Sequence, residues 1–159
     1  MKKEGKKSLN RGLTLIISII VVAIVAFIGS LFTRAGTSSQ WYQDIKPAIT
    51  PPDYVFPIAW GILFFLIALS LFFALIKNKH KFQIIFAFFI NFIFNILWSF
   101  FFFYLRMPVL GFADIILVWL SIFNMMVVVK KVSKISFLLL IPYLLWVTFA
   151  MILNLLAII

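Results

Sequence analysis

Cysteine is absent from this chain, histidine occurs once, at His80, and only four of its 159 residues are acidic. Without cysteine there is no disulfide and no thiolate metal site, and a single imidazole cannot build a histidine-rich metal centre. The glycine-rich phosphate loop, the dinucleotide fingerprint, the nucleophile elbow and the HExxH pair are also missing. So is the period-two alternation over ten-residue segments that a membrane β-barrel requires, and no internal repeat of about 20–50 residues is evident. These absences remove the familiar catalytic and metal-dependent classes. What is abundant is apolar surface: 65% of residues are hydrophobic, 11% are charged, and the mean hydropathy is +1.21. A soluble domain of this length has too much surface for its volume to hide so many apolar side chains. The composition predicts an all-α integral membrane protein.

Five runs are long enough to cross a hydrocarbon layer as helices, which takes about 20 apolar residues. They cover 13–32, 55–76, 84–104, 109–129 and 137–159, preceded by a basic segment 1–12 and divided by a long loop 33–54. The first run follows a basic leader, as in a secretory signal, but it is too long and lacks a small-x-small cleavage site, so it reads as a retained span. Lys2, Lys3, Lys6, Lys7 and Arg11 precede it, Lys77, Lys79 and Lys81 separate spans two and three, and Lys130, Lys131 and Lys134 separate spans four and five. Thus 11 of the 14 basic residues share one side, which predicts a cytoplasmic amino terminus. The formal charge of +10 therefore follows from topology and anionic lipid, not from nucleic-acid binding, for which no basic stripe with interleaved aromatics is present. No transit-peptide character or eukaryotic targeting motif is seen, and a bacterial cytoplasmic membrane is the expected host.

The loop 33–54 carries the densest punctuation, with Trp41-Tyr42, Lys46-Pro47 and Pro51-Pro52. Proline fixes φ and reduces the entropy lost on ordering, so this segment reads as a shaped lid on the outer side. Within the spans, polar groups are costly unless partnered. Span three places Ala87, Asn91, Asn95 and Ser99 at four-residue spacing along one helix face. Ala87 and Asn91 fit helix packing or dimerisation. Asn95, one turn before Trp98-Ser99, fits a packing amide or a ligand-facing one equally well. Span two sets Trp60, Phe64 and Ala68, and span five sets Pro142, Trp146, Ala150 and Asn154, at the same spacing. A large ring beside a small residue makes a notch, and two facing notches would accept a flat hydrophobic molecule, the alternative being an interfacial belt or ordinary core. Trp119 fits that alternative. Asp114 is the one carboxylate within a span. Near the outer interface it is expected to be hydrated; a hydrated acid there would be an anchor, whereas a buried one would be a functional candidate. The run Phe100 to Phe103 reads as lipid-facing filler.

In this order, Trp41-Tyr42, Lys46-Pro47, Pro51-Pro52, Trp60, Asn95-x-x-Trp98-Ser99, Asp114 and Pro142-Tyr143-Leu144-x-Trp146-x-x-Phe149-Ala150-x-x-Leu153-Asn154 resemble the translocator protein or tryptophan-rich sensory protein (TspO/MBR) family. The resemblance implies a homodimer of five-helix bundles that binds protoporphyrin IX-like tetrapyrroles and other flat hydrophobic ligands, with no cofactor required. It implies a pocket involving Trp60, Phe64, Asn95, Trp98, Asp114, Trp146, Phe149 and Ala150, under a lid shaped by Trp41, Tyr42 and Pro47, with porphyrin propionates at the outer mouth pairing with Lys46 or Arg34. It also raises light- and oxygen-dependent porphyrin breakdown, in which Trp60 and Trp146 would be redox indoles and no conventional catalytic motif takes part; a transporter or stress-signalling scaffold is the alternative. Two departures stand out. Ala48-Ile49 replace the tryptophans common after Lys-Pro, and no basic residue follows Tyr143, so a sterol partner is not expected.

Overall fold

The computed structural model describes residues 2–77 and 79–159, with side chains from Arg11 onward. The side chains of Lys2, Lys3, Lys6 and Lys7, assigned above to the topology signal, lie outside the described residues. All regular structure among the described residues is helical: α1 (Lys2–Thr37), α2 (Gln40–Ile45), α3 (Val55–Leu75), α4 (Lys81–Ser99), a π-helical turn (Phe100–Tyr104), α5 (Pro108–Lys130) and α6 (Lys134–Leu156). Five segments are long and apolar enough to cross a membrane: Arg11–Thr37, Val55–Leu75, Lys81–Tyr104, Pro108–Lys130 and Lys134–Leu156.

These five pack as a ring in the order α1, α3, α6, α5, α4, with α4 closing back on α1. Lipid removes most of the hydrophobic drive between spanning helices, so close approach and interhelical hydrogen bonds must hold the ring. Both are present. Ser70 Oγ donates to the Ser136 carbonyl at 2.9 Å, tying α3 to α6, and Trp119 Nε1 donates to Thr148 Oγ1 at 2.9 Å, tying α5 to α6. Ile84, Ala87 and Phe88 on α4 and Ile122, Met125 and Val129 on α5 are buried, while Phe65, Phe82, Phe89 and Phe123 point outward.

The helix ends follow local chemistry. Ser133 caps α6 by accepting from Ser136 N at 3.2 Å, and Pro108 sits in the first turn of α5, where a missing N–H is harmless. Pro142 lies inside α6, as spanning helices tolerate when neighbours satisfy the freed backbone.

Helix α1 begins at Lys2, ahead of the expected 13, and two further differences from the sequence reading shape the site. Helix α1 continues past residue 32 to Thr37, because Gly36 lets it press against the π turn: a Cβ there would lie 2.6 Å from the Phe103 carbonyl oxygen. The lid is correspondingly shorter and contains α2, whose cap Ser39 accepts from Tyr42 N at 3.3 Å. The second difference is the π turn itself. Leu105 N reaches back five residues to the Phe100 carbonyl at 2.9 Å, which rotates Phe102 and Phe103 inward. They are 5% and 7% exposed, so this half of the phenylalanine run is core and not lipid-facing filler.

Candidate functional site

The lid end of the ring holds a cleft between α2, the loop after it, α3, the π turn and α6. Its walls include Tyr42, Pro47, Phe56, Trp98, Phe102 and Ala150, and Lys46, Thr50 and Asn154 supply further polar groups. The free volume is about 30 Å³, room for little more than one water.

Aromatic rings form a continuous layer around this cleft. Trp98 stacks on Phe102 with centroids 5.9 Å apart, Trp41 meets Phe102 edge-on at 5.8 Å, and Tyr42 tilts against Phe103 at 5.7 Å. Behind Trp98 lies Trp60 at 6.3 Å, itself 5.4 Å from Phe64 and 6.2 Å from Tyr143. On the α6 side, Trp146 contacts Phe56 at 6.0 Å and Phe149 at 5.7 Å. Tyr42, Pro47, Trp98 and Ala150 therefore border the cleft, whereas Trp60, Phe64, Trp146 and Phe149 make a layer around or behind it.

Asn95 is turned to packing. Its Nδ2 donates to the Tyr143 hydroxyl at 3.0 Å, which donates to Asn91 Oδ1 at 3.2 Å, and Asn91 Nδ2 donates to Ser121 Oγ at 2.8 Å. This mid-bundle network joins α4, α5 and α6 and buries Asn91 completely. Ala87 is buried one turn away, so both residues of the proposed dimer or packing stripe face neighbours within one chain.

Asp114 is not hydrated as expected. It is buried at 4% exposure, and its Oδ2 has no hydrogen-bond partner among the described residues, because the face of α5 that carries it and Gly111 turns toward the π turn and α6. Trp146 Nε1 and Thr50 Oγ1 are likewise buried without partners. By contrast, Trp98 Nε1 donates to Asn154 Oδ1 at 3.1 Å, and Asn154 Nδ2 donates to the Pro108 carbonyl at 2.8 Å. That pair of bonds clips α4, α6 and the start of α5 together.

The lid has its own electrostatics. Lys46 Nζ pairs with Asp53 and lies 5.8 Å from the Tyr42 ring centroid. Burial, reinforced by the negative charge of Asp53, raises the Tyr42 phenol above its usual pKa.

A family model described as the TspO/MBR family matches residues 18–159. The chain belongs to the TspO/MBR family. The Tryptophan-rich protein TspO of Chlorobaculum tepidum is 38% identical over 145 residues, covering 89% of this chain and 92% of that one. The protein of the same name from Archaeoglobus fulgidus is 39% identical over 144 residues, covering 89% and 93%. Protein CrtK of Rhodobacter capsulatus is 31% identical over 139 residues, covering 85% and 84%. With its five apolar helices, this TspO/MBR member is an integral membrane protein.

Several site residues escaped sequence reasoning. Phe102 and Phe103 were hidden because no periodicity announces a π insertion, and Tyr143 was seen only as a motif letter. A tyrosine in an apolar span needs a partner for its hydroxyl, and the amides of Asn91 and Asn95, one turn apart, were the available signal.

Proposed function

We propose that this TspO/MBR member is a membrane receptor for porphyrins of the protoporphyrin IX type and other flat hydrophobic molecules, which enter beneath the lid and lie against the indole of Trp98, backed by Trp60. The observation that carries this reading is the continuous aromatic layer from Trp41 through Phe102 and Trp98 to Trp60, set under a proline-braced lid. Flat ring faces of this kind attract a planar π-system without needing a dense hydrogen-bond pattern.

The closed cleft is far smaller than the roughly 300 Å³ that a drug-sized ligand needs. Binding therefore requires the lid to move, and the ligand's affinity is the surplus left after opening. Light- and oxygen-dependent breakdown of a bound porphyrin belongs to the same proposal. The pigment would be the photosensitiser, and Trp98 would be the first indole it meets, ahead of Trp60 and Trp146. The majority of basic residues on the opposite end from the lid supports a cytoplasmic amino terminus, a lid facing outward and residence in a bacterial cytoplasmic membrane. A homodimer is expected to use surfaces other than the buried Ala87 and Asn91.

The test is a dark titration of the purified protein with protoporphyrin IX, read by quenching of tryptophan fluorescence. Saturable binding weakened about tenfold in Trp98→Phe is the expected result, in line with stacking contributions of about 1 kcal/mol or more per ring pair plus loss of the Asn154 clip. Unchanged affinity in both Trp98→Phe and Trp60→Phe would remove the site.

A further inference from the structure

The cleft has few polar groups, and their present engagements differ. Trp98 spends its one N–H on Asn154, and Asn154 in turn bonds the Pro108 carbonyl, so both are already engaged within the wall. Thr50 has a buried hydroxyl with no partner among the described residues. Lys46 contributes an ammonium on a side chain only 21% exposed, and its partner, the Asp53 carboxylate, belongs to a side chain 67% exposed to the outside. The other lid carboxylate is already engaged: Asp44 Oδ1 accepts from Gln40 Nε2 at 2.8 Å. A half-covered cation at the rim of an apolar cleft, beside an idle hydroxyl donor, with an exposed and easily replaced counter-ion, has the chemistry of a carboxylate receptor.

We infer that Lys46 and Thr50 form the corner that receives the carboxylate of an otherwise flat, apolar ligand, and that Asp53 is the resident anion this carboxylate displaces. The inference rests on the receptor reading above and deepens it: the ligand class is an amphipathic aromatic acid, and the site carries its own competitor. The loop geometry favours the exchange. Residues 46 to 53 span a turn closed by Thr50 N donating to the Pro47 carbonyl at 3.0 Å and by Val55 N donating to the Pro52 carbonyl at 2.9 Å. Three prolines stiffen it, so Asp53 can leave Lys46 without collapse of the turn that holds Thr50. With its carboxylate open to solvent, the pair resists exchange only weakly, by about fivefold in an equilibrium constant.

The signature is opposite movement by two changes at one ion pair. Lys46→Met should weaken protoporphyrin IX binding about tenfold, Thr50→Val about threefold, and Asp53→Asn should tighten it about two- to fivefold, while each moves binding of the carboxylate-free dimethyl ester clearly less, because only the acid engages the ion pair. The experiment measures dark binding of the acid and the ester to the full chain in zwitterionic lipid nanodiscs. It repeats the comparison with pyrenebutyrate and its methyl ester. If Lys46→Met and Asp53→Asn move binding in the same direction, or move acid and ester alike, the pair is merely structural and the inference is overturned. If the porphyrins fail to bind but pyrenebutyrate shows the opposite movements, the porphyrin reading falls and the carboxylate corner stands. If neither acid binds better than its ester, the corner falls whatever the porphyrin does.

Discussion

The middle of the bundle and its lid end are built from similar residues to opposite effect. In the middle, Asn91, Asn95, Tyr143 and Ser121 use their polar atoms on one another, and the surrounding Ile84, Phe88, Ile122 and Met125 leave no room. At the lid end, a comparable supply of aromatic and polar side chains leaves a cleft, with Thr50 Oγ1, Trp146 Nε1 and, in the wall beyond it, Asp114 Oδ2 without partners among the described residues. A satisfied network makes a rigid, specified core, whereas unsatisfied groups keep an alternative state within reach. The stability of this fold and its capacity for a ligand therefore sit in separate layers.

The sharpest way to break that division is at the seam between them. Gly36→Val should be the most damaging single change, by about 3 kcal/mol or more, because its Cβ meets the Phe103 backbone, which cannot swing aside. Gly29→Ala should be nearly silent, since its Cβ would lie 3.7 Å from Ser99 Oγ. Melting temperatures in detergent decide between these outcomes; equal losses at both glycines would show that the π turn yields freely.

Next in size is Tyr143→Phe, which strands Asn91 Oδ1 and removes the acceptor of Asn95 Nδ2. A loss of about 1–2 kcal/mol is expected, with porphyrin affinity unchanged in the folded fraction. Impaired binding by folded Tyr143→Phe would merge the two layers. Asn154→Ala tests the boundary from the other side. It frees Trp98 Nε1 and the Pro108 carbonyl, and should lower stability by about 1 kcal/mol while also loosening the cleft, seen as faster hydrogen exchange in the π turn.

The smallest effect is a pH response of the lid. The Tyr42 pKa lies above 10.0, raised by burial and then by Asp53, so the closed lid holds the phenol proton more tightly than the open one. Closure should thus be fully supported below pH 10 and weaken as pH rises through the raised value. Proteolysis of the lid should accelerate in that alkaline window in the native chain and less so in Tyr42→Phe. Identical profiles would mean that other groups control the lid.

Much of this was legible in the chain. Five apolar runs needed only hydropathy, because the bilayer imposes a length on any spanning helix, and the aromatic-proline lid needed only the stiffness of proline. The candidate site was half legible. Tyr42, Pro47, Trp98 and Ala150 do meet at the cleft, but Trp60 and Trp146 stand in a layer around it, and four-residue spacing could not distinguish a ring facing a cleft from a ring backing it. Asn95 shows the limit clearly: its amide suited either a ligand or a neighbour, and the Tyr143 hydroxyl from a helix 48 positions away settled its donor.

That the chain is helical, apolar and asymmetric in charge could be read from residue order alone, because these follow from counting residues against the thickness of a membrane and the placement of lysine and arginine. Residue order also determined the family, through motifs whose order survives along the chain. The inward turn of Phe102 and Phe103, the burial of Asp114 and the pairing of Lys46 with Asp53 at the rim of the cleft emerge with the folded bundle. Each depends on one extra residue in a helical turn, on packing against another helix or on the folded shape of a loop, and local periodicity carries no record of any of them.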